Sequence, residues 1–152
     1  MITITRRLEF DYGHRVLGHE GKCRHLHGHR GVVEITVQAP ELDSIGRVVD
    51  FGVIKRLVGG WIDNNWDHNF LMHPDDPLNK IIRDAQDKDD PFQGREPYVM
   101  REGNPTAENM AKELFYVAQV LLTFDLEVIK IRIWETPSCY ADYSLGNHPC
   151  SA

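Results

Sequence analysis

The sequence predicts an α+β fold. Strict alternation of apolar and polar residues marks strands near both ends of the chain, and apolar residues at helical spacing mark two long helices between them. The predicted order is strand, strand, helix, helix, strand, strand. Such an order places both helices on one face of an antiparallel sheet.

The first strand covers residues 1–14, where Ile2, Ile4, Leu8 and Phe10 share parity and threonine and arginine fall between them. The second runs from His27 to about Ala39: Val33, Ile35, Val37 and Ala39 alternate with Glu34, Thr36 and Gln38, and Pro40 ends it. Asp43-Ser44-Ile45-Gly46 reads as a turn. Arg47-Val48-Val49 reads as a short extended piece leading into a helix. Asp50 is the N-cap of that helix, and Val53, Ile54, Leu57, Val58, Trp61 and Ile62 follow its period. Gly59-Gly60 weakens it, at about 1 kcal/mol per glycine relative to alanine. The helix should end near Asn64-Asn65.

Thr106 opens a second long helix as its N-cap, with Met110, Ala111, Leu114, Phe115, Val117, Ala118, Leu121 and Leu122 on a broad apolar stripe. The next strand, Leu126 to Glu135, puts Ile129, Ile131 and Ile133 on one face and Lys130 and Arg132 on the other. Thr136-Pro137-Ser138 turns the chain, and Tyr140 to Leu145 returns as a short strand. Residues 73–104 stand apart, rich in proline and charge. Asp76-Pro77 followed by Leu78, Ile81, Ile82 and Ala85 reads as a short helix. The rest is an excursion long enough to be expected as a lid or an added interface. The whole chain, 1–152, reads as one domain with an insertion at about 73–104.

Bulk properties exclude several functions. A net charge of -6 argues against general nucleic-acid binding, which wants a basic face. No apolar run approaches the ~20 residues that cross a membrane. Three widely spaced cysteines, Cys23, Cys139 and Cys150, with no apolar leader ahead of them, point to a reducing cytoplasm and not to a disulfide framework.

The chemistry concentrates in Lys22-Cys23-Arg24-His25-Leu26-His27-Gly28-His29. On an extended strand His27 and His29 point to one face, a clamp for zinc to which His14 can add a third imidazole. His25 shares their parity, so spacing alone admits it too. Three neutral imidazoles leave tetrahedral zinc an open position, the catalytic arrangement. Cys23 nearby is then a candidate base or nucleophile. Glu135 continues the parity of Ile133, so its carboxylate points with the apolar face, a costly place unless paired. Lys22, Arg24 and Arg30 are candidates for the local cationic patch that an acidic protein with an anionic substrate needs.

Six segments in order resemble the 6-pyruvoyltetrahydropterin synthase family, and within it the 6-carboxytetrahydropterin synthases of queuosine biosynthesis. They are Phe10 to His14, Cys23 to His29, Val49-Asp50-Phe51, Asp67-His68-Asn69-Phe70-Leu71, Asn104-Pro105-Thr106-Ala107-Glu108 and Trp134-Glu135-Thr136. The resemblance implies the tunnelling fold (T-fold), a dimer of trimers with active sites between subunits, and Zn²⁺ on His14, His27 and His29, leaving His25 a surface or outer position. It makes Cys23, Asp67 and His68 the acid/base set, with the Asp67-His68 pair from an adjacent subunit. It makes Glu135 the anchor of the pterin edge and Thr106 a pterin contact beside its capping role.

The implied reaction turns 7,8-dihydroneopterin triphosphate into 6-carboxy-5,6,7,8-tetrahydropterin with release of acetaldehyde and triphosphate. The three residues between Cys23 and His27 favour this branch. The alternatives are the pyruvoyl-forming branch, an aldolase-like formation of 6-hydroxymethyl-dihydropterin, and a zinc- or pterin-binding module without turnover. The chain departs from the family pattern at Tyr12, where a small residue is frequent. It departs again at Arg30-Gly31, where an aromatic usually follows, at Met72, where asparagine is frequent, and in the length of 73–104.

Overall fold

The computed structural model describes residues 2–85, 96–122 and 126–146. Part of the 73–104 excursion, including Pro91, and Cys150 lie outside these residues. β1 (Thr3–His14) and β2 (His27–Gln38) form a long antiparallel hairpin. β5 (Glu127–Thr136) pairs with β2 and β6 (Cys139–Tyr143) with β5, both antiparallel. These are the four expected strands in their expected order.

The other edge departs from a purely antiparallel sheet. β3 (Asn69–Met72) lies parallel to β1 against Tyr12–His14, and β4 (Tyr98–Val99) lies parallel to β3. The sheet order is β4-β3-β1-β2-β5-β6. Strands of four and two residues are too short for alternation to register, so periodicity cannot reveal them.

One sheet face is buried under helices. Phe10, Val33, Ile35, Val37, Val128, Ile131 and Ile133 meet Ile54, Val58, Ile62 and Trp66 from one helix and Met110, Leu114, Phe115 and Ala118 from another. Each such large apolar side chain taken from water contributes about 1.5–3 kcal/mol. The expected β5 face shifts at its start. The ladder slips between Thr36–Lys130 and Val37–Val128, so Val128 enters the core in place of Ile129. An extra residue on one strand reverses parity in this way.

Asp50 caps the first helix by accepting the Gly52 N–H at 2.7 Å. That helix runs as α1 (Phe51–Ile54), a π turn (Lys55–Gly59) and α2 (Gly60–Asn65), so the glycine pair does not end it. A Cβ on Gly59 would stand 3.3 Å from Leu8 Cδ1, so the bare backbone lets the helix lie close on β1. Val48 and Val49 pack against the core without joining a strand, unlike the extended piece expected there. α3 (Leu78–Asp84) is the short helix of the excursion, and α4 (Ala107–Leu121) packs on β5 and β6. The Thr106 hydroxyl caps α4 by accepting the Asn109 N–H at 3.3 Å. Among the described residues no helix is long and apolar enough to cross a membrane.

Two buried carboxylates fasten the described parts of the excursion. Asp76, 3% exposed, accepts a bidentate pair from Arg15 at 2.7 and 2.6 Å and the Leu78 N–H at 2.8 Å. Glu113 of α4 accepts from the Tyr98 hydroxyl and, at 3.0 Å, from the Arg101 N–H. Carboxylates out of water need such partners. Burial works to raise the Asp76 carboxyl, but the bonds from Arg15 and Leu78 outweigh it and hold the group below the usual carboxylate range. A lowered folded-state value gives stability that is complete above the unfolded value of about 3.9 and is lost as pH falls through the folded one. Asp76→Asn is expected to cost roughly 2–4 kcal/mol at neutral pH. It should also flatten this acid limb, as read from urea midpoints between neutral and acid pH.

Candidate active site

The β1–β2 register builds the site. His14 faces His27, and Tyr12 faces His29, across the ladder. Cross-strand partners share a face, and so do residues two apart on one strand. All three imidazoles therefore lie on the core-facing side, where the apolar layer under the helices gives out. Their ligand atoms lie within 4.8 Å of one another. His14 is 1% exposed, while His27 and His29 are half-buried.

Backbone carbonyls fix two of the rings. His14 Nδ1 bonds the Pro105 carbonyl at 2.7 Å, and His27 Nδ1 bonds the His25 carbonyl at 2.7 Å. A carbonyl only accepts, so each Nδ1 carries the proton. His25 thus serves the cluster through its backbone, while its exposed side chain takes no place in it. The two Nε2 atoms stand 3.1 Å apart. With both rings neutral their lone pairs face each other, an unfavourable contact that a shared cation relieves. Tetrahedral zinc with Zn–N of 2.0–2.1 Å puts two nitrogens roughly 3.3 Å apart, so the residues fit this metal.

Burial pushes the His14 imidazole down to about 4, opposed by the Pro105 carbonyl and assisted by His27 and His29. Burial also lowers His29, with Glu135 opposing and His27 assisting. His14 is thus held as the neutral ring that binds metals.

Glu135 Oε1 stands 3.7 Å from His14 Nε2. Trp134 faces Tyr140 and Thr136 faces Cys139, so Glu135 is the extra residue of a bulge, a device that re-aims a side chain beside a site. His29 and Glu135 open on a cleft of about 580 Å³, lined also by Trp134, Thr136, Arg7 and Arg30. Thr106 does not line this cleft. Arg30 is already matched by Asp11 at 3.2 Å and Glu9 at 3.6 Å, which leaves Lys22 and Arg24, both exposed, as the cations of the Cys23 turn.

A second group forms at the end of α2. Asp67 Oδ2 accepts His68 Nδ1–H at 2.7 Å, and Asp67 Oδ1 accepts the Asp11 N–H at 2.9 Å. The His68 N–H returns to the Asp11 carbonyl at 2.6 Å. His68 takes φ of 54°, a left-handed conformation unusual for a side chain of its size. The Asp11 backbone on β1 thus locks both members of the pair. Ligand atoms of Asp11, Asp67 and His68 also lie within 4.8 Å of one another. Cys23 sits half-buried on a short turn (Lys22–Arg24), and its backbone carbonyl accepts the Val16 N–H at 2.8 Å.

Sequence reasoning passed over three contributors: the Pro105 carbonyl, Asp11 and Tyr12. The last had one signal, its departure from the family pattern. Its ring is buried 5.1 Å from the His14 ring and 5.7 Å from that of His29, and stacks on Phe10. Gly31 makes the room, because a Cβ there would meet Phe10 Cζ at 2.8 Å and Tyr12 Cε1 at 2.9 Å. The two positions complement each other: Tyr12 fills, from the opposite strand, the space that Gly31 leaves open.

Helices on one face of this sheet and a converging histidine cluster at its end define a T-fold protein. The family model of 6-pyruvoyl tetrahydropterin synthase matches residues 3–145, and the chain belongs to that family. It is 42% identical over 146 residues to the 6-carboxy-5,6,7,8-tetrahydropterin synthase of Rickettsia bellii, spanning 93% of this chain and 99% of that one. To the enzyme of the same name from Aquifex aeolicus it is 30% identical over 161 residues, spanning 92% and 96%. An uncharacterized protein of Wolinella succinogenes superposes with a TM-score of 0.73 at 26% identity, over 95% of this chain and 98% of that one. The 6-pyruvoyl tetrahydropterin synthase of Caenorhabditis elegans shares the fold, with a TM-score of 0.67 at 21% identity over 95% and 96%.

Gly31→Ala is expected to drive its methyl into two buried rings and destabilise the protein by about 1–3 kcal/mol, measured by urea unfolding. Pairing it with Tyr12→Ala should recover part of that loss if the two positions compensate as described.

Proposed function

We propose that this chain converts 7,8-dihydroneopterin triphosphate and water into 6-carboxy-5,6,7,8-tetrahydropterin, acetaldehyde and triphosphate, as a zinc-dependent lyase. The observation that carries the metal is the pair of Nε2 atoms 3.1 Å apart, each with its other nitrogen committed to a carbonyl. The carboxy-forming branch is supported by relatives of that name at 42% identity and by the short gap between Cys23 and His27. His14, His27 and His29 would hold the ion, which supplies Lewis-acid polarisation of the substrate's side-chain oxygens.

The protein's own groups do the rest. Cys23 takes a proton from a side-chain carbon of the substrate. Asp67 keeps the His68 proton on Nδ1, so Nε2 is the atom that exchanges a proton with substrate. Glu135 receives the two parallel N–H groups of the pterin edge, and Lys22 and Arg24 face the triphosphate. The family to which the chain belongs supports a site completed between copies, in a dimer of trimers. On this reading the chain is one domain with 73–104 as its insertion, and it serves queuosine biosynthesis in the cytoplasm.

Purified protein given dihydroneopterin triphosphate should release acetaldehyde and 6-carboxytetrahydropterin in equal amounts. Chelation should abolish this and zinc restore it. Cys23→Ala should lower kcat at least about 100-fold with zinc content unchanged, and Glu135→Gln should act mainly on KM. A pyruvoyl product without acetaldehyde would move the assignment to the sister branch. Pterin binding without turnover would leave a binding module.

A further inference from the structure

Asn104 and Pro105 belong to a segment singled out by sequence, yet neither has a role in the reaction above. The Pro105 carbonyl is buried and bonds His14 Nδ1 at 2.7 Å across 91 residues of chain. It lies ahead of the α4 ladder, whose first turn is closed by the Thr106 carbonyl accepting the Met110 N–H. The helix therefore leaves the Pro105 carbonyl free for the histidine.

What aims that carbonyl is Asn104. Its Oδ1 accepts the Leu17 N–H at 2.7 Å, and its Nδ2 donates to the Leu17 carbonyl at 3.0 Å. One side chain thus meets both backbone groups of one residue, as a neighbouring strand would. The Asn104 carbonyl in turn accepts the Thr106 N–H and Asn109 Nδ2, each at 2.8 Å. Standing before a proline, Asn104 is also barred from helical backbone. Leu17 follows His14 closely in the chain, so the contacts close a loop from His14 to Leu17, Asn104, Pro105 and back to His14. Among side chains of this size only a primary amide both donates and accepts in this way. Aspartate has the shape without the donor.

We propose that Asn104 is a positioning residue for the metal centre: by clamping Leu17 it sets the Pro105 carbonyl, which holds His14 with its proton on Nδ1 and Nε2 turned toward His27. The proposal rests on the zinc reading of the three histidines. Outer partners that fix a histidine's tautomer are worth about 10–100-fold in metal affinity. Substitution at Asn104 should therefore weaken zinc binding without touching a ligand.

The test measures zinc affinity of the full-length protein by competition with a chromophoric chelator. Asn104→Asp, and Asn104→Ala should the first fold poorly, are each expected to bind zinc about 10–100-fold more weakly. Asp50→Ala serves as control, since it removes the cap of the other helix and lowers stability away from the site. It should bind zinc as the unaltered protein does. Nitrogen-15 NMR of zinc-free protein should show His14 protonated on Nδ1, and a mixture of tautomers in the Asn104 variants. Zinc affinity in the Asn104 variants equal to that of Asp50→Ala would overturn the proposal. Failure of the unaltered protein to bind zinc would instead strike the zinc reading, and the His14 tautomer would then decide the role of Asn104: an unchanged tautomer in the variants overturns it.

Discussion

The register of the β1–β2 hairpin is the constraint on which the rest depends. Its ladder runs unbroken from Thr3–Gln38 to His14–His27. At one end it places Ile35 and Val37 under the helices, and at the other it places His27 and His29 beside His14. A slip of one residue would move a whole strand's set of side chains to the opposite face. The apolar half of the hairpin cannot slip without exposing its valines and isoleucines, so core burial holds the histidines in place. The site is the continuation of the core face past the point where the helices stop covering it.

Burial then gives the cluster its chemical character. A ring as enclosed as that of His14 resists a second proton, and carbonyl acceptors settle which nitrogen keeps the first. The lone pairs are thereby presented inward before any ligand arrives, which is preorganisation in the sense used for catalytic sites. The unfavourable approach of two Nε2 atoms is tolerated because the packing around them is determined elsewhere. The same holds at His68, whose left-handed backbone is kept by two bonds to β1 through Asp11 and its neighbour Asp67. Strain of this kind collects at functional positions when the surrounding fold over-determines them.

Tyr12 and Gly31 exchange volume across two strands, so the wall behind His14 and His29 remains aromatic. The described parts of the excursion are fastened by Asp76 to the residue after His14 and by Glu113 to α4. Both ties are buried carboxylates whose oxygens accept from the excursion or from β1's end. The excursion is thus coupled to the strand end that carries a histidine of the cluster.

Alternation and helical spacing by themselves determined the strands β1, β2, β5 and β6, the two long helices and their caps at Asp50 and Thr106, because these are local patterns written within a dozen residues. The parity of His27, His29 and Glu135 was legible for the same reason, and the His-x-His pair with His14 pointed to a metal. Tertiary structure alone decided what depends on residues far apart. The parallel strands β3 and β4 exist only because β1 offers them an edge. The bulges at Ile129 and Glu135 arise from pairing with β2 and β6, and one of them overturns the parity expected of Ile129. The carbonyls of His25 and Pro105, which choose the histidine tautomers, leave no trace in the residue types, since every residue carries a carbonyl and only the fold decides where it points.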